Sequence, residues 1–132
     1  MHRNAKLKRS LFDRIKFVLP DNFIVSNQTS LQEEFIRCGI VVYTWTTVCL
    51  EALWVGLPVI HLDINRPLNL DPLFEINDLK RIVSHPKQLV DEINFLLTMD
   101  EGTYERSYVN AKKYLDEYFY PNSEAALNEF VQ

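Results

Sequence analysis

The sequence predicts an α/β fold, with about four parallel strands and helices on both faces. Helical and strand patterns alternate along the first half of the chain, and the links between them are short. The strand pattern at residues 40–43 is a continuous β-branched run, as expected of a strand buried on both faces of a parallel sheet. The 132 residues are 47% hydrophobic, 12% aromatic and 24% charged, enough apolar surface for one buried core and too much for a disordered tail.

In order along the chain, residues 4–17 read as a helix, because Leu7, Leu11, Phe12 and Ile15 recur at helical spacing and Pro20 follows. Phe23 to Val25 is a short apolar run between polar residues and reads as a strand. Ser30 is placed as a helix N-cap with Glu33 three residues on, a capping-box spacing, and this helix runs to Arg37 with Gly39 at its end. Strand 40–43 follows. A helix over 47–55 then stops at Gly56, and a further strand covers 58–62. The stretch 63–78, with Pro67 and Pro72, is a long loop of the kind that often carries function. A short strand is expected at 81–83. Pro86 opens a helix over 86–98, and two more helices cover 103–119 and 123–131.

A net charge of −4 argues against a general nucleic-acid binder. The basic residues Arg3, Lys6, Lys8, Arg9, Arg14 and Lys16 gather at the N-terminus and read as a solvated helix face. The alternative is contact with an anionic ligand or a membrane surface. Cys38 and Cys49 lie in apolar stretches without metal-ligand spacing, which points to two buried free thiols in a reducing, cytoplasmic setting. Residues 39–62 are long enough to span a membrane. Glu51 and the Gly56-Leu57-Pro58 break make them a strand, helix and strand instead.

Phosphate loops of the P-loop or GxGxxG kind and the GxSxG nucleophile turn are absent. His61 and Asp63 lack a third ligand, so no metal is expected. The informative segment is 44–63, TWTTVCLEALWVGLPVIHLD. A strand ends near Thr44 and a helix begins near Thr47. Ligands of open α/β sheets gather at that end of the strands, and a helix start there offers amides to an anion. Thr44, Thr46 and Thr47 add hydroxyls. Glu51 lies one turn beyond Thr47 on the same helix face, about 6 Å along the axis, in reach of a ribose attached to a diphosphate. The plainer alternatives are a capping threonine and a solvated glutamate. The aromatic stripe Tyr104, Tyr108, Tyr114, Tyr118 and Phe119 has helical spacing and reads as packing rather than as a carbohydrate platform.

Segment 44–63 resembles the nucleotide-sugar-binding segment of GT-B glycosyltransferases. There a strand leads through a Ser/Thr/Gly turn to a helix bearing Glu-Ala, and Gly-x-Pro-Val-Ile opens the next strand. The counterparts are Glu51-Ala52 and Gly56-Leu57-Pro58-Val59-Ile60. His85-Pro86-Lys87-Gln88-Leu89, Asn110 to Tyr114 and Tyr118-Phe119 are similar to the C-terminal tail of such enzymes, with the flavour of bacterial surface-polysaccharide and capsule biosynthesis.

The resemblance implies a Rossmann-like, C-terminal donor-binding half spanning residues 1–132 of a two-domain enzyme. Thr46 and Thr47 would hold the diphosphate and Glu51 the ribose, with His61 beside them at the cleft as a further substrate-binding residue. No catalytic residue is assigned, and the nucleotide-sugar donor is the only small molecule implied. His2-Arg3 resembles a remnant of an earlier His-Pro element. The first strand of such a domain would precede His2, and the acceptor half would be a partner. Strands left unpaired would favour a homo-oligomer. The other readings are a nucleotide-sugar 2-epimerase-like domain and a non-catalytic α/β interaction module.

Overall fold

The structure is a computed structural model, and it describes residues 20–27, 29–64 and 68–119. The expected helices over 4–17 and 123–131 and the N-terminal basic cluster lie outside the described residues. The chain divides into two compact units, Met1–Ile36 and Arg37–Gln132.

In the first unit, Pro20 begins a turn closed by the Phe23 amide on the Pro20 carbonyl at 2.9 Å. The strand expected at Phe23 to Val25 does not form. All three side chains are exposed, Ile24 to 82%, and the segment joins no sheet among the described residues. An apolar run becomes a strand only where a neighbouring strand pairs with it, and none of the described strands does. Helix α1 (Leu31–Arg37) closes this unit at Ile36, with Glu33 and Glu34 in its first turn and Arg37, the first residue of the second unit, in its last, as the helix dipole favours. The Glu34 amide donates to the Ser30 carbonyl at 3.4 Å, and the Ser26 hydroxyl donates to the Glu34 carboxylate.

The second unit is α/β. Strands β1 (Val41–Tyr43), β2 (Val59–Leu62) and β3 (Lys80–Val83) form a parallel sheet in the order β1-β2-β3. Three strands are therefore present among the described residues where four were expected, and the difference is the segment at 23–25. Tyr43 pairs with His61, and His61 with Ile82. Helix α2 (Val48–Trp54) connects β1 to β2. A 3-10 turn at Pro86–Gln88 leads into α3 (Leu89–Leu97), and α4 (Glu101–Tyr118) follows. Residues 39–62 are thus strand, helix and strand, and no described helix is long and apolar enough to cross a membrane.

Alternation along the strands gives the sheet two different faces. Ile60 and Val83 are fully buried and pack with Leu96 of α3, joined by Ile40, Leu62, Leu89, Ile93 and Met99. On that face Arg81 forms a two-point ion pair with Glu92 and lies 4.3 Å from the Phe95 ring. The opposite face carries Tyr43, Val59, His61 and Lys80, with α2 packed against β1 and β2.

Helix α4 packs on α2. Cys49, Ala52 and Leu53 of α2 and Ala111 and Leu115 of α4 are fully buried. Part of the aromatic stripe serves this packing, while Tyr118 and Phe119 at its end are exposed. Tyr104 donates to the Gly56 carbonyl at 2.6 Å and Tyr108 to the Trp54 carbonyl at 3.0 Å, two carbonyls that the end of α2 leaves without helical partners. Trp54 meets the edge of Phe119 at 5.5 Å.

Gly56 ends α2 as the sequence suggests. Its φ is +88°. Its amide bonds the Leu53 carbonyl and the Leu57 amide bonds the Ala52 carbonyl, the paired closure of a Schellman motif. Gly39 follows α1 without a left-handed backbone. The two glycines therefore differ in what they tolerate. A Cβ at Gly56 would lie 2.7 Å from the Tyr104 hydroxyl oxygen, whereas one at Gly39 meets nothing within 4 Å. We predict that Gly56→Ala lowers unfolding free energy by about 1–3 kcal/mol through backbone strain. Gly39→Ala should leave stability unchanged or raise it by up to about 1 kcal/mol. Denaturant titration of both variants checks this, and equal stability of the two would contradict the assigned roles.

Candidate functional site

The turn from Thr44 to Thr47 leaves the carboxyl end of β1 and starts α2. Thr46, not Thr47, makes the local cap. The Val48 amide donates to the Thr46 hydroxyl oxygen at 3.3 Å, while Thr47 is already helical in backbone and makes no side-chain cap bond. One of the amides expected to face an anion is thereby used inside the protein. The Thr46 hydroxyl keeps its own proton to donate. Thr47 and Glu51 are both exposed, and they are spaced to share one face of α2. The Glu51 carboxylate makes no hydrogen bond or ion pair with a described residue. Its apolar neighbours Cys49, Leu50, Ala52 and Leu53 are buried on the other side of the helix.

His61 occupies a different layer. It is 5% exposed and lies beneath the turn rather than on its surface. Its Nε2 is 2.9 Å from the Thr44 carbonyl oxygen, and its Nδ1 is 3.6 Å from Asp71 Oδ2. The Tyr43 ring lies beside it, with centroids 5.2 Å apart. The second carbonyl of the turn is also held from within, because the Cys49 thiol donates to the Thr46 carbonyl at 2.9 Å.

Behind His61 is a buried ionic cluster that the sequence reading did not anticipate. Asp71 and Lys80 form an ion pair with both side chains almost fully buried. Asp71 Oδ1 accepts from the Tyr43 hydroxyl at 2.7 Å and from the Leu73 amide at 2.9 Å. Lys80 also donates to the Leu73 carbonyl at 2.5 Å. Every buried side-chain polar atom of the described residues has a partner. The loop between β2 and β3 is thus a core element at its centre: Asp71, Leu73 and Ile76 are buried. Its residues 65–67 lie outside the described set. The signal for this cluster is Lys80 directly before the expected strand 81–83; it proves to be the first residue of β3, where the parallel register pairs it with Val59.

The cluster's chemistry follows from its surroundings. Burial works to raise the Asp71 carboxyl, but the Lys80 ammonium, the Tyr43 hydroxyl and the Leu73 amide outweigh it and hold it below the ordinary carboxylate range. Burial, then the hydrogen bond to Asp71 and its charge, push the Tyr43 phenol well above its usual range. Burial and the Asp71 charge push the Cys49 thiol up to about 11. Neither Tyr43 nor Cys49 is therefore an anionic nucleophile near neutral pH. Among the described residues no three or more of His, Cys, Asp and Glu are grouped as metal ligands would be.

Two expectations follow. Asp71→Asn leaves the Lys80 ammonium buried without a counter-charge and should lower stability by about 3–5 kcal/mol, read by denaturant unfolding. A variant as stable as the parent would show that the pair does not hold the loop. The pH profile has two limits. The Asp71 contribution is complete above its unfolded value of about 3.9 and is lost as pH falls through the lower folded value. The Tyr43 and Cys49 contributions are complete below their unfolded values, about 10 and 8.5, and are lost as pH rises toward the higher folded ones. Melting temperature should therefore plateau between about pH 5 and 8 and fall on both sides, with Tyr43→Phe flattening part of the alkaline decline.

Compared with protein-family models, curated proteins and solved structures, the chain matches none.

Proposed function

We propose that the second unit is a nucleotide-sugar-binding domain of the GT-B glycosyltransferase type, acting in surface-polysaccharide biosynthesis. The observation that carries this reading is the β1-turn-α2-β2 unit. Two adjacent parallel strands end on the same side, a threonine-rich turn leaves the first, and an exposed carboxylate stands one helical turn along. In this reading the Thr46 and Thr47 hydroxyls donate to the diphosphate. Glu51 accepts the ribose hydroxyls. Helix α2 has only seven residues, so its dipole adds little and the hydroxyls and carboxylate supply most of the polar recognition. His61 contributes from beneath the turn, and its burial favours this reading over an epimerase, which needs an acid/base pair open to the sugar. Transfer in this fold takes place between two halves, so the acceptor side comes from a further domain.

The test is calorimetry or thermal shift with UDP, GDP, CMP and CDP, using ADP as a control. One of the first four should bind and stabilise the chain, with no sugar transfer to simple acceptors by the chain alone. Glu51→Gln should weaken that nucleotide by roughly 10- to 150-fold, equivalent to about 1.5–3 kcal/mol for a charged hydrogen bond. Its melting temperature should stay unchanged, because the side chain is exposed. Absence of binding by all four nucleotides, or a Glu51→Gln variant with parental affinity, would remove this reading.

A further inference from the structure

We infer that His61 is the positioning residue of the Thr44–Thr47 turn, acting through the Thr44 carbonyl. This rests on the proposed donor site for its purpose, but its geometry stands independently. A turn that presents hydroxyls to a ligand has to be fixed from behind, because its outer side is kept for the ligand. Two of its carbonyls, those of Thr44 and Thr46, are held by side chains from the buried side: His61 at 2.9 Å and Cys49 at 2.9 Å.

The histidine bond requires a proton on Nε2. A carbonyl oxygen only accepts, so Nε2 carries the hydrogen and donates it to Thr44. Nδ1 then faces Asp71 Oδ2 at 3.6 Å, too far for a good hydrogen bond. The carboxylate stands beside the ring and attracts it only where Nδ1 carries a proton too. Asp71 is itself fixed by Tyr43 from β1, Lys80 from β3 and the Leu73 amide of the loop. The Tyr43 ring confines the imidazole on one side. The chain of contacts runs from Lys80 through Asp71 to His61, and from His61 to the backbone of the turn. Every group in it is buried except the end that meets the turn. The cluster is thus built to hold a backbone position and presents no side chain of its own to solvent.

The alternative is that His61 only fills the space beside Tyr43. The two accounts differ in what a glutamine does. Glutamine at 61 carries an N–H at about the place of Nε2 and reaches the same carbonyl, whereas leucine fills the volume without a donor. Three measurements on the full chain decide between them. Nitrogen-15 spectra of the unmodified protein should show His61 protonated on Nε2. Amide exchange at residues 44–48 should quicken in His61→Leu by roughly tenfold, the scale of one lost hydrogen bond, and return towards the parental rate in His61→Gln. Affinity for the bound nucleotide should follow the same order.

An unprotonated Nε2 in the parent overturns the inference without any variant, and so removes dependence on whether His61→Leu folds. Unchanged exchange at the turn in His61→Leu also overturns it, as does a glutamine variant as disturbed as the leucine one. If the parent binds no nucleotide, the donor-site reading fails, while the tautomer and exchange results still decide whether His61 holds the turn.

Discussion

The buried Asp71–Lys80 ion pair is the constraint on which the second unit depends. Removing two opposite charges from water is unfavourable unless each retains further partners. Here each does: Tyr43 and the Leu73 amide complete the carboxylate, and the Leu73 carbonyl accepts from the ammonium. Those partners come from β1, β3 and the loop between β2 and β3. The cluster therefore ties the loop to both edge strands of the described sheet, across the middle strand that supplies His61. An apolar layer in the same place would add hydrophobic stabilisation without fixing directions. Charges and hydrogen bonds fix the Tyr43 and His61 rings, and through them the path of the chain as it leaves β1.

The two faces of the sheet divide the work. The side under α3 is largely aliphatic, with Ile60, Val83 and Leu96 at its centre, and among the described residues its one ion pair, Arg81 with Glu92, is partly exposed. It contributes non-directional burial. The side under α2 carries the polar cluster and the fully buried Cys49, Ala52 and Leu53. Small residues at 49 and 52 let α2 lie close to the sheet and to α4. The tyrosine hydroxyls of α4 then satisfy the carbonyls at the end of α2, which would otherwise rely on water.

Much of this was legible in the sequence where one residue type carries one local meaning. Gly56 marks the end of α2, Pro86 the start of a helical turn capped by His85, and the apolar runs at 40–43 and 58–62 the strands. The tyrosines of α4 read as packing residues; Tyr104 and Tyr108 are so, whereas Tyr118 is exposed. Phe23 to Val25 was misleading because a strand needs a partner as well as a pattern. The threonine turn was placed correctly, but the capping role falls on Thr46, since Thr47 already has helical backbone angles. His61 was visible as a polar residue at a strand end, yet its burial depends on Asp71 and Lys80. These lie 10 and 19 positions further along, and only the parallel register and the inward fold of the loop bring them beneath it. Thr46, Thr47 and Glu51 stand near one another because they are close in sequence, which is why local reasoning could find them.

Leu79 adds a consequence for which substitutions this chain accepts. It is the one described non-glycine residue with a positive φ, at 55°, and its side chain is buried. A backbone in that region favours glycine or asparagine, and a leucine there is strained by about 1–3 kcal/mol. Burying the same side chain returns about 1.5–3 kcal/mol. The two contributions nearly cancel, so a residue that relieves the backbone forfeits the packing. The position thus has the geometry of a turn and the tolerance of a core site. A sequence profile expecting turn residues before β3 would rank the native leucine poorly, and a design that replaced it on those grounds would forfeit a buried side chain.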